Sequence, residues 1–387
     1  MNTVAAPEAT DTGTIIVGMS GGVDSAVAAL ILKRQGFRVQ ALFMSNWDDE
    51  DAYCTAAEDL QDARRVCDVL DIPLHRASFA AEYRERVFAH FLREYAAGRT
   101  PNPDVLCNRE IKFGVCLDYM RRLGASRIAT GHYARVEHTA GGPKLLKAVD
   151  SSKDQSYFLH QIGPEALGRT VFPIGDLHKD EVRRQAHAAG LPVFDKPDST
   201  GICFIGERPF GAFLSRYLPQ TPGPIETDAG RVIGEHRGLA LYTLGQRSGL
   251  RIGGSACAAA LPWYVAIKDI ERNALVVVQD REHPLLLCDA FEVQEPRWWG
   301  APIPPGSLAC AVKTRYRQND MPCQVRFVDE RLYVTLQTAA WAVTPGQYAV
   351  FYRGEQGVGG GVIAARVTAR RCHSAALSGV AVAPESA

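Results

Sequence analysis

The sequence predicts an α/β protein built on a doubly wound, mainly parallel sheet, followed by a small central domain and a C-terminal β-barrel. In the first half, short β-branched runs such as "TIIVGM" alternate with stretches whose apolar residues recur at helical spacing. Strands that alternate with helices in this way form parallel sheets joined by crossover helices. After about residue 210, short β runs alternate with turn signals every 8 to 12 residues or so, which is typical of small barrels and sandwiches.

The predicted elements follow one another in a regular order. The first strand (14–19) leads into a helix over "SAVAALILKRQG", and the second strand (38–44) leads into a helix over "AAEDLQDARRVCDVLD". A third strand, "IPLHRASF", precedes two further helices, and a fourth is expected as one unbroken strand over 126–136. The predicted domains are a disordered N-terminus (1–13), an α/β domain (14–210), a central domain (211–284), a barrel (285–375) and a tail (376–387).

Composition and charge narrow the class of protein. Of the 387 residues, 46% are apolar and 22% are charged, which is average for a soluble globular protein. The 43 basic and 43 acidic side chains balance, so a nucleic acid would have to be held by a local basic surface. No run reaches the ~18 apolar residues of a membrane span. The ten cysteines form no C-x-x-C pair, and Cys67 and Cys116 lie in apolar periodic runs. We therefore expect a reduced, cytoplasmic protein without a membrane partner, with these two thiols in its core.

The stretch "GMSGGVDS" (18–25) lies between the first strand and the first helix, where open α/β sheets bind ligands. It fits neither the Walker loop nor the dinucleotide fingerprint. Its backbone N–H groups and the helix N-terminus suit phosphate oxygens, which the glycines allow to approach the main chain closely. Asp24 can help to hold a magnesium ion, and Ser25 can donate to phosphate. The alternative is a tight turn with an N-capping residue, which the complete S-G-G-V-D-S string disfavours.

Two cysteines lie in turn-like contexts. Cys107, in "GRTPNPDVLCNREIKFG", is expected just before a helix, where the helix N-terminus and Arg109 would favour its thiolate. Asp104, three residues earlier, is a candidate base or orienting group. Cys203, in "DKPDSTGICFIGER", lies 96 residues further along the chain. The pair suits a nucleophile and a resolving partner, although Cys107 by itself is equally compatible with a buried cysteine in a proline turn.

Together these strings resemble the bacterial and mitochondrial tRNA-specific 2-thiouridylases, and the glycine loop resembles that of the N-type ATP pyrophosphatases. The resemblance runs from about residue 15 to about residue 369. It rests on "GMSGGVDS", "NPDVLCNREIKFG", "TGHYAR", "KDQSYFL", "DSTGICFIGER" and "YTLGQRSGL". It implies an adenine nucleotide alpha hydrolase-like fold for the first domain and a tRNA-binding barrel at the C-terminus.

The resemblance also implies a transferase that thiolates the wobble uridine in the anticodon arm of tRNA. The C2 oxygen of the uridine would attack the α-phosphate of ATP, with Mg²⁺ present, and pyrophosphate would leave. Sulfur from a persulfide on Cys203, delivered by a sulfur-relay protein, would then replace AMP. Cys107 would be the nucleophile, Asp104 a candidate base and Asp24 a candidate magnesium ligand. The implied ATP-binding residues are Gly18, Met19, Ser20, Gly21, Gly22, Val23, Asp24, Ser25, Met44 and Gly131.

The contacts to RNA are implied in the same way. Asn102, Pro103 and Asp104 would touch the target base. One candidate segment also has support from its own residues, because "KTRYRQ" (313–318) interleaves cations with an aromatic ring, as phosphate contact and base stacking require. An exposed strand with alternating charges would give the same pattern. The implied tRNA contacts are His132, Lys153, Asp154, Gln155, Arg315, Tyr316 and Gln347.

Two other functions fit parts of the sequence. The first is another pyrophosphate-loop ligase, of the GMP synthetase or argininosuccinate synthetase type, which needs neither the cysteine pair nor a C-terminal β module. The second is a catalytically idle RNA-binding protein that kept the loop for folding. The intact Asp24, Ser25, Cys107 and Cys203 count against the second.

Overall fold

The computed structural model describes residues 13–47, 56–198, 210–252, 261–299, 307–328 and 331–367. Cys203, the first twelve residues and the predicted tail lie outside the described residues. The chain divides into two compact units. The first consists of Met1–Ala89, Pro103–Arg208 and Arg353–Gly359, and the second of His90–Asn102, Pro209–Tyr352 and Gly360–Ala387.

The first unit contains a five-stranded sheet in the order β3-β2-β1-β4-β7, in which all neighbouring strands run parallel. The predicted parallel sheet is therefore confirmed. The elements up to residue 96 are β1 (Thr14–Gly18), α1 (Val23–Arg34), β2 (Arg38–Ser45), α2 (Ala56–Leu70), β3 (Leu74–Ser78), α3 (Ala80–Tyr83), a π-helical stretch (Arg84–Phe88) and α4 (Ala89–Ala96), which belongs to the second unit from His90 onward. The remainder are α5 (Pro103–Leu106), a second π-helical stretch (Cys107–Val115), α6 (Cys116–Arg122), β4 (Ala125–Thr130), β5 (Ala134–Thr139), β6 (Gly142–Lys147), α7 (Ser156–Leu159), α8 (Pro164–Gly168), β7 (Thr170–Val171) and α9 (Lys179–Ala188).

The strand and helix on either side of the glycine loop are buried in the centre of this unit. β1 is apolar on both faces, as expected for a strand covered by helices on both sides of a parallel sheet. α1 is buried around most of its circumference, which is typical of a helix inside a large core. Its alanines (Ala26, Ala28 and Ala29) are fully buried. Cys67 also belongs to this core, and Cys116 is buried in the same unit, as predicted.

The expected continuous strand over 126–136 is wrong. β4 ends at Thr130, and β5 begins only at Ala134 and pairs with β6 instead of the parallel sheet. At Gly131 the chain passes so close to the start of α1 that a Cβ there would lie 2.5 Å from the backbone nitrogen of Ser25. Continuation of the strand would drive it into this helix, so the chain turns away. Within the part of the chain that the structure describes, no helix is long and apolar enough to cross a membrane.

The second unit combines a small mixed sheet with a closed barrel. The small sheet has the order β10-β11-β8-β9, and the barrel has the order β12-β15-β14-β13-β16-β17, closed by pairing of β12 with β17. The first residues of β17 belong to the first unit, where Gln356 pairs with Leu146 of β6. The elements are α10 (Phe210–Leu214), β8 (Gly223–Thr227), β9 (Val232–His236), β10 (Tyr264–Asp269), β11 (Ala274–Val278), β12 (Leu287–Trp298), β13 (Leu308–Lys313), β14 (Met321–Val328), β15 (Arg331–Trp341), β16 (Tyr348–Arg353) and β17 (Gln356–Val367). Short 3-10 turns cover Leu239–Leu241 and Pro284–Leu286.

Candidate active site

The glycine loop presents the uncapped N-terminus of α1. Gly22 is the N-cap in an extended conformation, and no side chain of the described residues caps it. The hydroxyl of Ser25 folds back instead: its Oγ accepts from the backbone N–H of Ser20 (3.2 Å) and donates to the carbonyl oxygen of Gly22 (3.1 Å). Within the described residues, the first N–H groups of α1 therefore receive no side-chain oxygen from the N-cap residue, which suits an anion.

Three strand ends meet beside this loop. Because β1, β2 and β4 are parallel neighbours, their carboxyl ends lie at one edge of the sheet. The methyl carbon of Met44 lies 3.8 Å from the position that a Cβ on Gly18 would take. Gly21 has a φ of +79°, a left-handed conformation that favours glycine, and it packs directly on the backbone of Asp59. The implied ATP-binding residues are thus adjacent in space.

A cation that the sequence analysis missed lies at the centre of the site. Lys179 Nζ donates to both carboxylate oxygens of Asp24, at 2.7 and 2.9 Å, and also forms an ion pair with Asp198 at 2.7 Å. Tyr133 donates its hydroxyl to Asp24 Oδ1 at 2.9 Å. Lys153 Nζ lies 2.7 Å from the other oxygen of Asp198. Lys179 therefore joins the loop carboxylate to a second carboxylate close in sequence to Cys203.

Burial and these contacts shift the titration of the site. For Asp198, burial alone would raise the pKa, but the hydrogen bonds from Lys153 and Lys179 outweigh it and lower the pKa to about 2. For Tyr133, burial and the adjacent Asp24 carboxylate both raise the pKa. At neutral pH the carboxylate of Asp198 is ionised, and Tyr133 remains a hydrogen-bond donor.

The sequence signal that could have revealed Lys179 is a positive charge at the start of a helix. It occupies the first turn of α9, where the positive end of the helix dipole disfavours a cation. Only 8% of the residue is exposed, and a buried lysine needs a charged partner. The backbone N–H of the same residue donates to Asp150 at 3.0 Å. In "GDLHKDEV", the acidic residues suit the positive end of the helix dipole, whereas the lysine does not.

A second lysine fastens the outside of the loop. Lys196 Nζ donates to the carbonyl oxygen of Gly21 at 3.1 Å and binds Asp59 (2.7 Å) and Asp62 (2.5 Å). Burial raises the pKa of Asp62, but the hydrogen bonds and charges of Lys196 and Arg65 lower it by more. The pKa of Asp62 therefore lies below its usual value. Lys196 thus holds the glycine loop against the first turns of α2.

The expectation that Cys107 lies just before a helix is wrong. The helix begins four residues earlier, at Pro103, because proline at the first helical position has a suitable φ and lacks only an N–H that would be unpaired there. Cys107 begins the π-helical stretch that follows and is 1% exposed. The guanidinium of Arg109 contacts Glu110 (2.6 Å) and Gln161 (3.3 Å). Asp104 lies in the first helical turn, and π-helical insertions are frequent at functional sites.

The residues assigned to tRNA in the first unit have inward contacts. Asp154 is 4% exposed and accepts N–H bonds from Ala148 and Ser156. Gln155 Oε1 accepts from the backbone N–H of Tyr133 at 2.9 Å. Together with the Lys153–Asp198 pair, these contacts connect this segment to the residues of the candidate site. Contact between this segment and tRNA stays a prediction.

His132 lies beside the same edge of the sheet. Its Nδ1 is 2.8 Å from the hydroxyl of Thr130, and its ring lies near Phe113 and Phe172. Burial, reinforced by the positive charge of Lys112, holds the pKa of His132 well below its usual value. The ring is therefore neutral at pH 7 and suits stacking or a single hydrogen bond better than a phosphate ion pair.

Arg315 and Gln347, both in the second unit, also make internal contacts. Arg315 Nη2 donates to the carbonyl oxygens of Leu244 and Ala342, each at 2.9 Å, and its guanidinium lies over the Trp341 ring. Gln347 Nε2 donates to main-chain oxygens in the segment before Asn102. Tyr316 is partly exposed. Their roles in tRNA binding stay predictions.

Magnesium fits the donor set only as a companion of the nucleotide. No group of three or more His, Cys, Asp or Glu side chains in the described segments could hold a metal ion. Asp24 offers carboxylate oxygens, the ligands that Mg²⁺ prefers, and Mg²⁺ commonly binds proteins through one or two carboxylates plus substrate phosphates. An ion at Asp24 would share that carboxylate with Lys179 and Tyr133.

A parallel sheet with a glycine loop at its carboxyl edge, followed by two β modules, is the arrangement of a nucleotide-binding α/β protein with appended β domains. Family models match all three parts: the tRNA methyl transferase HUP domain at 13–207, the tRNA methyl transferase PRC-barrel domain at 211–279 and the aminomethyltransferase beta-barrel domain at 288–363. The predicted fold class, including the central domain and C-terminal barrel, is confirmed.

Curated relatives identify the family. The tRNA-specific 2-thiouridylase MnmA of Bordetella avium is 55% identical over 362 residues, covering 91% of this chain and 98% of that protein. The protein of the same name from Marinobacter nauticus is 56% identical and covers 90% of each chain. The chain belongs to the family of tRNA-specific 2-thiouridylases. A solved 4-thiouridine synthetase bound to RNA and ATP is similar at only 16% identity and a TM-score of 0.32, covering 54% of this chain and 50% of that chain.

Proposed function

We propose that this protein uses ATP to replace the C2 oxygen of the wobble uridine of tRNA with sulfur. One observation in the structure supports this most directly: the uncapped glycine loop of α1, with Asp24 and Lys179 beside it, suits the phosphates of a nucleotide. A methyl transfer, which the names of the family models suggest, has no need for such a site. The family supplies the substrate, because its members are named for tRNA 2-thiolation.

The first step is adenylation of the base. The uridine must leave the base stack to reach the pocket. Its C2 oxygen attacks the α-phosphorus of ATP, the bond to the β-phosphate oxygen breaks, and pyrophosphate leaves. The N–H groups of the glycine loop hold the departing phosphates, and Lys179 supplies a positive charge at their edge. Mg²⁺ bound with ATP at Asp24 would neutralise further phosphate charge.

The second step delivers sulfur. A relay protein loads a persulfide on Cys203. Either its terminal sulfur attacks C2 and Cys107 then attacks the Cys203 sulfur, or Cys107 attacks first and the released hydrosulfide attacks C2. In both routes the C–O bond to AMP breaks, a thiocarbonyl forms and a Cys107–Cys203 disulfide remains. A dithiol reductant must then return two electrons and two protons before the next turnover.

The test is direct measurement of the product. Purified protein is incubated with tRNA, ATP, Mg²⁺ and a sulfide source, and the tRNA nucleosides are analysed by mass. We expect 2-thiouridine at the wobble position, with AMP and pyrophosphate released in equal amounts. Pyrophosphate release without thiolation of tRNA would favour another adenylating ligase, and the absence of both would favour an idle RNA-binding protein.

The contributions of Arg315 and Tyr316 to tRNA binding can be measured separately. Tyr316→Ala is expected to weaken tRNA binding by roughly 5- to 100-fold through lost base stacking, with little change in the salt dependence of the affinity. Arg315→Ala is expected to lower the melting temperature as well, since it leaves the carbonyl oxygens of Leu244 and Ala342 without their donor. Filter binding at several salt concentrations, together with thermal unfolding, measures both. Unchanged affinity in the Tyr316 variant would remove this segment from the tRNA site.

A further inference from the structure

A turn of the barrel holds the chain just before Asn102 by hydrogen bonds. The gripped segment is Arg99–Pro101 and the gripping turn is 344–347; both belong to the second unit. The backbone N–H of Thr100 donates to the carbonyl oxygen of Pro345 at 3.0 Å. The amide of Gln347 donates in return to the carbonyl oxygen of Thr100 at 2.8 Å, with the oxygen of Pro101 at 3.4 Å. Both backbone groups of Thr100 are thus held by one turn.

The turn approaches this segment too closely for any side chain between them. Gly346 has a φ of +92°, in the left-handed region. A Cβ there would lie 2.8 Å from the nitrogen of Thr100 and 3.0 Å from Cβ of Arg99. Thr100 itself is only 8% exposed. Glycine is therefore required at this position both for its backbone conformation and for the close contact.

The turn is itself fixed to the barrel on both sides. The backbone N–H of Gly346 donates to the carbonyl oxygen of Ile363 at 2.9 Å, and the N–H of Ile363 donates to the oxygen of Gln347 at 2.8 Å. On the preceding side, Arg315 binds the carbonyl oxygen of Ala342 and the hydroxyl of Thr344. The barrel strand β17 and Arg315 thus determine where the turn lies.

The gripped segment is anchored at its other end and stiff at its exit. Arg99 forms two hydrogen bonds with the Glu94 carboxylate, at 2.6 and 2.7 Å, and these bonds hold the pKa of Glu94 below its usual value despite burial. At the end of this segment, Pro101 has a fixed φ angle and restricts Thr100, and Pro103 likewise restricts Asn102. The position of Thr100 is therefore transmitted along the chain to Asn102.

We propose that Gly346 and Gln347 are positioning residues that fix the main chain from Thr100 to Asn102 and so hold Asn102 in place for reaction. The proposal rests on the proposed function, together with the contact between Asn102 and the target base that the resemblance implies. Gln347 acts here through the main chain of Thr100 and Pro101. If it acted instead as a tRNA contact, its loss would weaken affinity and leave the rate on saturating tRNA unchanged.

Two substitutions and a matched control test this role. Gly346→Ala introduces the clash and Gln347→Leu removes the donor. Gly230→Ala is the control, because Gly230 lies in the same unit at a φ of +77° with no atom within 4 Å of an added Cβ. Both alanine variants therefore have a strained backbone, but of the two only Gly346→Ala also clashes with the segment Arg99–Pro101. Thermal unfolding checks that all three variants fold.

The first readout is single-turnover pyrophosphate release with saturating ATP and tRNA, beside tRNA affinity. Gly346→Ala and Gln347→Leu are expected to slow release by roughly 10- to 100-fold, the effect of a misplacement on the order of 1 Å. The tRNA affinity of Gly346→Ala should stay within about threefold of wild type, and Gly230→Ala should retain the wild-type rate. A normal rate at saturation, with or without weaker affinity, overturns the proposal.

A second readout does not depend on activity. Amide hydrogen exchange at Thr100 should be faster in Gly346→Ala and Gln347→Leu than in wild type and in Gly230→Ala, since the N–H of Thr100 donates to the carbonyl oxygen of Pro345 in the turn. Unchanged exchange overturns the proposal even if the rate falls. If the wild type proved inactive on tRNA while exchange rose as expected, the grip would stand and the proposed function alone would fail.

Discussion

Replacement of Lys179 by methionine is expected to slow pyrophosphate release by roughly 100- to 1,000-fold, the usual cost of removing one preorganised donor to a developing charge. Lys179 bonds both oxygens of Asp24 and pairs with Asp198. Asp24→Ala, which removes the loop carboxylate itself, is expected to abolish release. In both variants tRNA affinity should remain nearly intact, because the glycine loop serves ATP.

The control for Lys179 is Lys144→Met, which removes another lysine of the same unit that pairs with Glu137 near the surface, at 3.2 Å. Such exposed pairs contribute little to stability. The measurement is single-turnover release of labelled pyrophosphate, with tRNA affinity determined in parallel. Normal release in Lys179→Met would reduce this lysine to a structural role, and a large loss of tRNA affinity would contradict the separation of the two sites.

The fold could be predicted where the hydrophobic pattern of the sequence corresponds to the secondary structure that forms. β-branched runs that alternate with helical spacing indicate parallel strands, and the connection after β1 is where such sheets bind ligands. The prediction of a single fourth strand was wrong because hydrophobic periodicity contains no information about a close approach between segments that are far apart in sequence. Gly131 lies against Ser25, more than a hundred residues away, and the strand ends there for that reason.

The sequence predicts the glycine loop of the site but not all of the residues that bind its carboxylate. The string around Asp24 indicates an anion site, but its partners Tyr133 and Lys179 come from distant elements. Long-range ion pairs have no spacing that a single sequence reveals. Likewise, the sequence predicts a helix that begins just after Cys107, whereas the helix already begins at Pro103.

The two cysteines are expected to fail at different steps. A persulfide carrier must accept sulfur from the donor, whereas its partner is needed only later. Cys203→Ser should leave no protein-bound persulfide after incubation with a labelled donor. Cys107→Ser should still load sulfur yet form no 2-thiouridine, and no intramolecular disulfide should follow a single turnover. Both variants should bind ATP normally, because neither thiol belongs to the glycine loop.

Cys67→Ala provides the matched control for these thiols. Cys67 is buried in the core beside α1, and burial raises its pKa to about 11, so it remains an unreactive thiol at neutral pH. This variant should load sulfur and thiolate tRNA like wild type. Label retained on Cys107 in the Cys203→Ser protein would reverse the two roles. Full thiolation by both single variants would make the pair structural, and sulfur would then have to reach the adenylated base from the donor without passing through a cysteine of this chain.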